Sequence, residues 1–359
     1  MKEILKLILA KWIFKKPKKK FFLIYDRHGL HFLTFLVKKK TFEILDVRYE
    51  SVNFYVLLFT IFNNGFLNLR LNYKINYIKV VSPRFVITSI DNNLSFYNLK
   101  NNYNKTKYIA VQEGRRDNIF FEQCKNYYKK ENIRLSVDFF FVMGKNEIKR
   151  YSKYIDSKFY ILGLIKNNYF YLRASTKCKK QILFISRKSN FLNNKDHEVN
   201  VFNSLYKYSV INKYKLILST RSSPIEEEYY RNILIKGNWH YHPHDYYDAK
   251  STYQLMNRSE IIAYTYSTLG LEALIKFKKV AIFLINPKYF PILNYPIKSP
   301  KKSPFWTTNI NDINVTRLID KIKSYPNSKW QSFVKKYISN IIHYNPKNKI
   351  FFKAISNIK

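Results

Sequence analysis

The stretch Ser267-Thr268-Leu269-Gly270-Leu271-Glu272 puts two hydroxyls, a glycine and a carboxylate into one short segment. The whole chain has only seven glycines, so a glycine here calls for a backbone reason. Residues 261–264 read as an apolar strand, 265–270 as a tight turn, 271–277 as a helix and 280–284 as the next strand. A turn between a strand and a helix presents backbone N–H groups and the positive end of the helix to an anion. Ser267, Thr268 and Gly270 would then cradle a phosphate. A plainer reading also stands, in which Ser267 or Thr268 only caps the helix and Glu272 only meets its dipole.

Similar polar groups follow other predicted strands. They are Asp26-Arg27-His28-Gly29, Asp91-Asn92, Gln112-Glu113-Gly114-Arg115-Arg116, Ser186-Arg187 and Ser219-Thr220-Arg221. Arginine clamps phosphate through planar, charge-assisted hydrogen bonds, so Arg221 is a candidate to neutralise a bound phosphate. Asn92, Gly114, Arg115 and Arg116 are candidates for phosphate contacts. Asp91 or Glu113 would take a proton from an attacking hydroxyl. Polar residues also follow strands in any α/β protein, where they cap the next helix; it is the set that points to a ligand. Trp239-His240-Tyr241-His242-Pro243-His244-Asp245 places His240 and His242 on one strand face. Such a cluster suits a metal or, as preferred here, a contact to a phosphate, with no metal assigned.

The elements that must hold these residues alternate along the chain. Apolar strands at 21–27, 41–47, 84–90, 107–113, 137–144 and 158–164 are separated by helical stretches, one of them at 51–62. Residues 166–180 are polar and aperiodic and read as a linker. A second series follows, with strands at 181–187, 215–221, 238–242, 261–264 and 280–284 and helices at 313–324 and 330–342. Continuous apolar strands between helices imply parallel sheets covered on both faces. The expected architecture is therefore α/β, with two Rossmann-like doubly wound domains, 21–165 and 181–345, facing a cleft. Ligands in such sheets lie at the carboxyl ends of strands.

Bulk composition narrows the function classes. Hydrophobic content of 46% with 18% aromatics provides ample core and rules against a disordered chain. The net charge is +40, yet the basic residues are dispersed, Lys outnumbers Arg and no nucleic-acid module is present, so nucleic acid is not an expected partner. Cys124 and Cys178 form no CxxC pair, which speaks against a zinc ribbon or a disulfide framework. No apolar run has the length of a spanning helix. In residues 1–20, Ile4, Leu5, Ile8, Leu9 and Trp12 share one helical face and lysines follow at 15, 16 and 18–20. That pattern suits either an interfacial helix on an anionic membrane surface or a helix docked on its own domain.

Together, FFLIYDR (21–27), RYESVN (48–53), RFVITSIDNNLSFY (84–97), YIAVQEGRRD (108–117), FFVMG (140–144), YSTLGLEAL (266–274) and FWTT (305–308) carry a resemblance. Their order and spacing resemble bacterial surface-carbohydrate (polysaccharide) biosynthesis proteins of the GT-B glycosyltransferase architecture. The resemblance implies a nucleotide-sugar, or a related phospho-alcohol donor, held by the second domain and a glycan or lipid-linked acceptor on the first. It implies chemistry without metal or other cofactor, and the lack of a DxD motif agrees. Under it Glu272 would reach donor ribose hydroxyls and Asp91 would be the general base, since Asn often stands at the position of Glu113. It places the protein in the cytoplasm, peripheral to the inner face of the membrane. VQEGRR also resembles a loop of UDP-N-acetylglucosamine 2-epimerases, so an epimerase remains open beside the transferase, as does a non-catalytic GT-B scaffold.

Overall fold

The computed structural model describes residues 6, 8–37, 42–170, 179–186, 195–221, 224–244, 250–265, 267–284 and 304–358, without the side chains of 195, 196, 221, 224–226 and 244. The chain divides into two compact units, Met1–Tyr169 with Asn345–Lys359, and Phe170–Tyr344.

The first unit holds strands β1 (Lys11–Ile13), β2 (Phe22–Tyr25), β3 (Phe42–Leu45), β4 (Ser51–Asn53), β5 (Phe85–Thr88), β6 (Lys107–Val111), β7 (Leu135–Val142) and β8 (Ile155–Ile161). Six of them form one sheet in the order β3-β2-β5-β6-β7-β8, and every pairing is parallel. All residues of β2 and β5 are buried, as continuous apolar strands in a parallel sheet require. Alternate residues feed two cores. Leu23, Val86, Tyr108 and Phe140 face one, and Ile24, Ile87, Ile109 and Phe141 face the other. The chain's last helix, Lys349–Ser356, returns to this unit and sets Phe351 against Phe141 with ring centroids 5.0 Å apart.

Three local expectations change. Trp12 lies in β1, which pairs parallel with β4, so it does not continue a helical face with Ile8 and Leu9. Ile4 and Leu5 lie outside the described residues. The stretch expected to be helical from 51 begins as strand β4. Its Asn53 then caps the helix Phe54–Asn64 by accepting a hydrogen bond from Val56 N. The helix Leu69–Val81 has no counterpart among the sequence-based elements. Its residues 69–77 alternate apolar and polar like a strand, and burial of Lys74, Asn76, Tyr77, Ile78 and Val81 overrides that pattern.

The second unit holds β9 (Lys179–Ile185), β10 (Lys215–Arg221), β11 (His240–His244), β12 (Ser259–Tyr264), β13 (Val280–Phe283) and β14 (Trp306–Thr307). They form a parallel sheet in the order β11-β10-β9-β12-β13-β14. Helices Asp312–Ser324 and Asn327–Ile338 cover it, and buried Trp330 donates from Nε1 to Lys278 O at 3.0 Å. Both units are thus Rossmann-like doubly wound layers, as the apolar strand pattern led one to expect.

Candidate functional site

Each sheet reverses its strand order once. In the first unit the chain runs from β2 outward to β3 and then restarts at β5 on the other side of β2. In the second it runs from β9 through β10 to β11 and restarts at β12 on the other side of β9. Loops leaving the carboxyl ends of the two strands at such a point diverge, and the crevice they leave takes ligands in doubly wound folds. The sequence-selected clusters fall on these two points and on the strands beside them.

In the first unit Asp26-Arg27-His28-Gly29 leaves β2 and Ser89-Ile90-Asp91-Asn92 leaves β5. Ser89 Oγ donates to Gly29 O at 3.2 Å, and a Cβ on Gly29 would lie 2.6 Å from Ser89 Oγ. Glycine there lets the two strand ends touch. Asp26 has φ 77°, accepts from His28 N at 3.0 Å and holds the Arg48 guanidinium, Nε to Oδ2 2.9 Å.

Asp91 is fully buried. Its Oδ2 accepts from Arg116 Nε at 2.9 Å and from the Tyr151 hydroxyl at 2.6 Å. Its Oδ1 accepts from Arg116 Nη2 and from Glu113 N, the latter at 3.3 Å. Burial pushes the Tyr151 hydroxyl well above its usual range, and the Asp91 charge adds to this, so the proton stays on Tyr151. Burial opposes the charge on Arg116, but Asp91 more than offsets it and the guanidinium pKa rises. For Asp91 to take a proton from a substrate hydroxyl, one of these bonds must first break.

The same network shapes the loop at 113–116. Gln112 donates to Gly114 O at 3.0 Å and to Glu147 Oε2 at 3.2 Å, and its own oxygen accepts from Met143 N at 2.9 Å. Arg150 spans Glu147, 3.0 Å, and Arg116 O, 2.7 Å. Glu113, Gly114, Arg115 and Arg116 are half-buried, and Asn92 is exposed at the adjoining turn. Sequence reasoning missed Glu147, Arg150 and Tyr151. They share one face of the helix Lys145–Tyr151, and their spacing alone signals no more than an amphipathic helix.

In the second unit Ser186 follows β9 and Thr265 follows β12. Both hydroxyls meet Glu198, Ser186 Oγ donating to Oε2 at 2.5 Å and Thr265 Oγ1 to Oε1 at 2.6 Å. The Tyr230 hydroxyl lies 2.7 Å from Ser186 Oγ. Glu198 sits in the first turn of the helix Lys195–Ile211. It was not among the predicted residues, because nothing near it in sequence marks it. Beside this cluster Ser267 caps the helix Thr268–Ile275, its Oγ accepting from Leu269 N at 3.3 Å.

Gly270 lies inside that helix rather than in the turn ahead of it. A Cβ there would come within 2.1 Å of the buried Tyr264 ring, so glycine is needed for close helix–strand packing. Glu272 is buried and accepts from the Tyr253 hydroxyl. Burial, then Glu272, holds that hydroxyl well above its usual pKa. His240 is exposed on the edge strand β11. His242 Nε2 is buried without a hydrogen-bond partner among the described residues, and burial lowers the pKa of its ring. Arg221 ends β10 in register with His244; the side chains of both, and Asp245, lie outside the description.

Among the described residues the ligand atoms of Asp26, His28 and Glu50 lie within 4.8 Å of one another. The Arg48 guanidinium on Asp26 already neutralises part of that charge.

The model of the family described as an O-antigen biosynthesis protein matches residues 109–358. The chain belongs to this O-antigen biosynthesis family. No curated protein matches the sequence of this family member. Solved structures share its fold. One is UDP-GlcNAc 2-epimerase from Neisseria meningitidis bound to UDP-GlcNAc, 12% identical, covering 93% of this chain and 99% of that one, TM-score 0.53. Another is the S. aureus MnaA–UDP structure, 15% identical over 94% of this chain and 96% of that one, TM-score 0.52. The Methanocaldococcus jannaschii UDP-GlcNAc 2-epimerase in complex with UDP-GlcNAc and UDP is 11% identical over 93% and 98%, TM-score 0.51. At these identities the likeness is one of fold.

Proposed function

We propose that this O-antigen biosynthesis protein is a glycosyltransferase-like enzyme that moves a sugar, or a related phospho-alcohol, from a nucleotide-activated donor to a surface-glycan acceptor. The observation that carries this reading is the switch point between β9 and β12. There the start of the helix Thr268–Ile275 offers backbone N–H groups to a diphosphate, with Ser267 and Thr268 beside it and Arg221 at the end of β10. Glu198, flanked by Ser186, Tyr230 and Thr265, suits the hydroxyls of a ribose or sugar better than phosphate, since a carboxylate accepts hydrogen bonds and repels anions. His242, with a buried nitrogen and a depressed pKa, is a neutral hydrogen-bonding group for the donor rather than a cation. UDP-bound relatives of the fold support a nucleotide ligand.

In the first unit Asp91 acts as a positioning residue. Held by Arg116 and Tyr151, it fixes the Glu113–Arg116 loop, which presents Glu113 as base and Arg115 toward the acceptor. Stabilisation of the leaving phosphate falls to helix N–H groups and Arg221, so no metal is assigned a role. The acceptor is a lipid-linked or otherwise membrane-proximal glycan, met at the cytoplasmic face.

One observation favours a second reading, the sharing of the whole fold with UDP-GlcNAc 2-epimerases. Incubation with UDP-GlcNAc and other nucleotide-sugars, with and without a lipid-linked glycan, separates the two. A transferase forms an elongated glycan and a free nucleotide only when acceptor is present. An epimerase forms a new nucleotide-sugar without acceptor, and that product alone would overturn the transferase reading.

A further inference from the structure

The helix Phe54–Asn64 has the sequence FYVLLFTIFNN. A helix apolar all round is normally buried on all sides, yet only Val56 and Thr60 of this one are fully buried. Tyr55, Leu58, Phe59 and Phe62 follow the i, i+3, i+4, i+7 spacing of a single helical stripe. All four are exposed, Phe62 to 84%. The stripe continues past Gly65 into Phe66 and Leu67, 76% and 77% exposed. At the other end the N-terminal strand region joins it. Phe14 and Trp12 pack their rings on Phe54, centroids 5.4 and 6.2 Å apart, and Lys15 O accepts from Asn53 Nδ2 at 2.8 Å. Lys16 Nζ lies 5.2 Å from the Tyr55 ring centroid. Leu9 and Ile8, just before β1, are exposed as well. Contiguous exposed apolar surface on this scale marks an interaction site.

The charge around it has one sign. No Asp or Glu occurs between Ile4 and Tyr25 or between Ser51 and Ile90, while Lys6, Lys11, Lys15, Lys16, Lys18, Lys19, Lys20 and Arg70 do. Lys11, Lys15, Lys16, Lys18, Lys19 and Arg70 are exposed. A second copy of this chain seated on the face would set lysine against lysine with no local acid to pair them, which opposes association. An anionic bilayer matches both properties. Phosphate headgroups pair with the lysines, and aromatic side chains settle at the headgroup boundary. Among the described residues no helix is long and apolar enough to cross a membrane, so the contact is one of lying on the surface.

We propose that the Phe54–Asn64 stripe, with Phe66, Leu67 and the Lys11–Lys19 cations, is a docking surface for an anionic lipid bilayer. It deepens the membrane-proximal part of the reading above but needs neither a donor nor a reaction.

The test is flotation of the full chain with phosphatidylcholine vesicles, with and without phosphatidylglycerol, at low and high salt. Two variants are compared with the parent. One combines Phe62→Ser and Phe66→Ser, and the other Lys15→Gln, Lys16→Gln and Lys18→Gln. The parent should float with phosphatidylglycerol vesicles and much less with neutral ones. Each variant should partition at least about tenfold less, because it removes several cations that meet the anionic headgroups or two aromatic anchors. Salt should weaken the parent and the aromatic variant more than the lysine variant. All these side chains are exposed, so melting temperatures should not move. Equal flotation of parent and both variants, or flotation indifferent to phosphatidylglycerol, overturns the proposal. So does a dimer in sedimentation velocity that the combined Phe62→Ser and Phe66→Ser variant dissolves without any vesicle binding, since a second copy would then be the occupant. Nucleotide binding is not read in this experiment, so failure here leaves the enzymatic reading standing.

Discussion

The Arg116 guanidinium takes both oxygens of the Asp91 carboxylate, with Nε 2.9 Å from Oδ2, in a site where the carboxylate is fully buried. A buried ion pair of this kind is a weak source of net stability, but breaking it from one side is costly because the other charge is stranded. Arg116→Ala should therefore destabilise the protein by about 3–5 kcal/mol. Tyr151→Phe, which removes one hydrogen bond to the same oxygen, should cost about 1–2 kcal/mol. The two losses should not add, with a coupling of about 0.5–3 kcal/mol in a double-mutant cycle. Urea denaturation of the three variants measures this, and simple additivity would show that the network does not act as one unit.

Gly270 tests the packing account of the second unit. Its Cα faces the Tyr264 ring so closely that an added methyl would sit 2.1 Å from ring carbons. The ring is buried and cannot swing away cheaply. Gly270→Ala should cost about 1–3 kcal/mol through overpacking, although alanine is the better helix former by about 1 kcal/mol. A neutral or stabilising result in thermal melts would mean that the helix Thr268–Ile275 stands further from β12.

Much of the architecture is legible in the sequence. FLIY in β2 and FVIT in β5 are unbroken apolar strands, and such runs between helices suit the middle of a covered parallel sheet. Residues after such strands fall at strand carboxyl termini, as Asp91 does after β5, Arg116 after β6, and Ser267 and Thr268 after β12. What those residues touch was not legible. The sequence does not show that the Tyr151 hydroxyl reaches Asp91 from a helix some sixty residues away. Glu198 was invisible for the same reason, since its partners Ser186 and Thr265 come from two different strands. The sequence pattern places Gly270 in a turn, because a methyl clash with Tyr264 exists only in three dimensions. The helix Leu69–Val81 was hidden by an alternating pattern that mimics a strand.

The buried amine of Lys74 gives a pH signature. Its Nζ donates to the Tyr25 hydroxyl at 3.2 Å and to Ser95 Oγ at 3.4 Å. Burial, with Arg70 nearby, brings its pKa from 10.5 down to about 8. Below about pH 8 the amine is charged in both folded and unfolded chains. Between about 8 and 10.5 the unfolded chain binds the extra proton, so stability should rise with pH in that window, by up to about 3 kcal/mol. Lys74→Met should lack this rise. The comparison is the difference in unfolding free energy between parent and variant at pH 7.5 and at pH 10, taken as roughly the ends of the window. Parallel curves would mean that the folded amine titrates like an exposed lysine.

The central claim is that the bend at Ser267 and Thr268, with Arg221, grips the diphosphate of a nucleotide donor. Thermal melting with CMP, CDP, UDP, GDP and dTDP tests it most directly, because a ligand that binds only the folded state must stabilise it, by about 2.7 kcal/mol at about 100 times its Kd. The account predicts that at least one of these nucleotides raises the melting temperature by a few degrees and that Arg221→Ala abolishes the rise while leaving the unliganded melt unchanged. No shift with any of the five, or a shift that Arg221→Ala leaves intact, would contradict it.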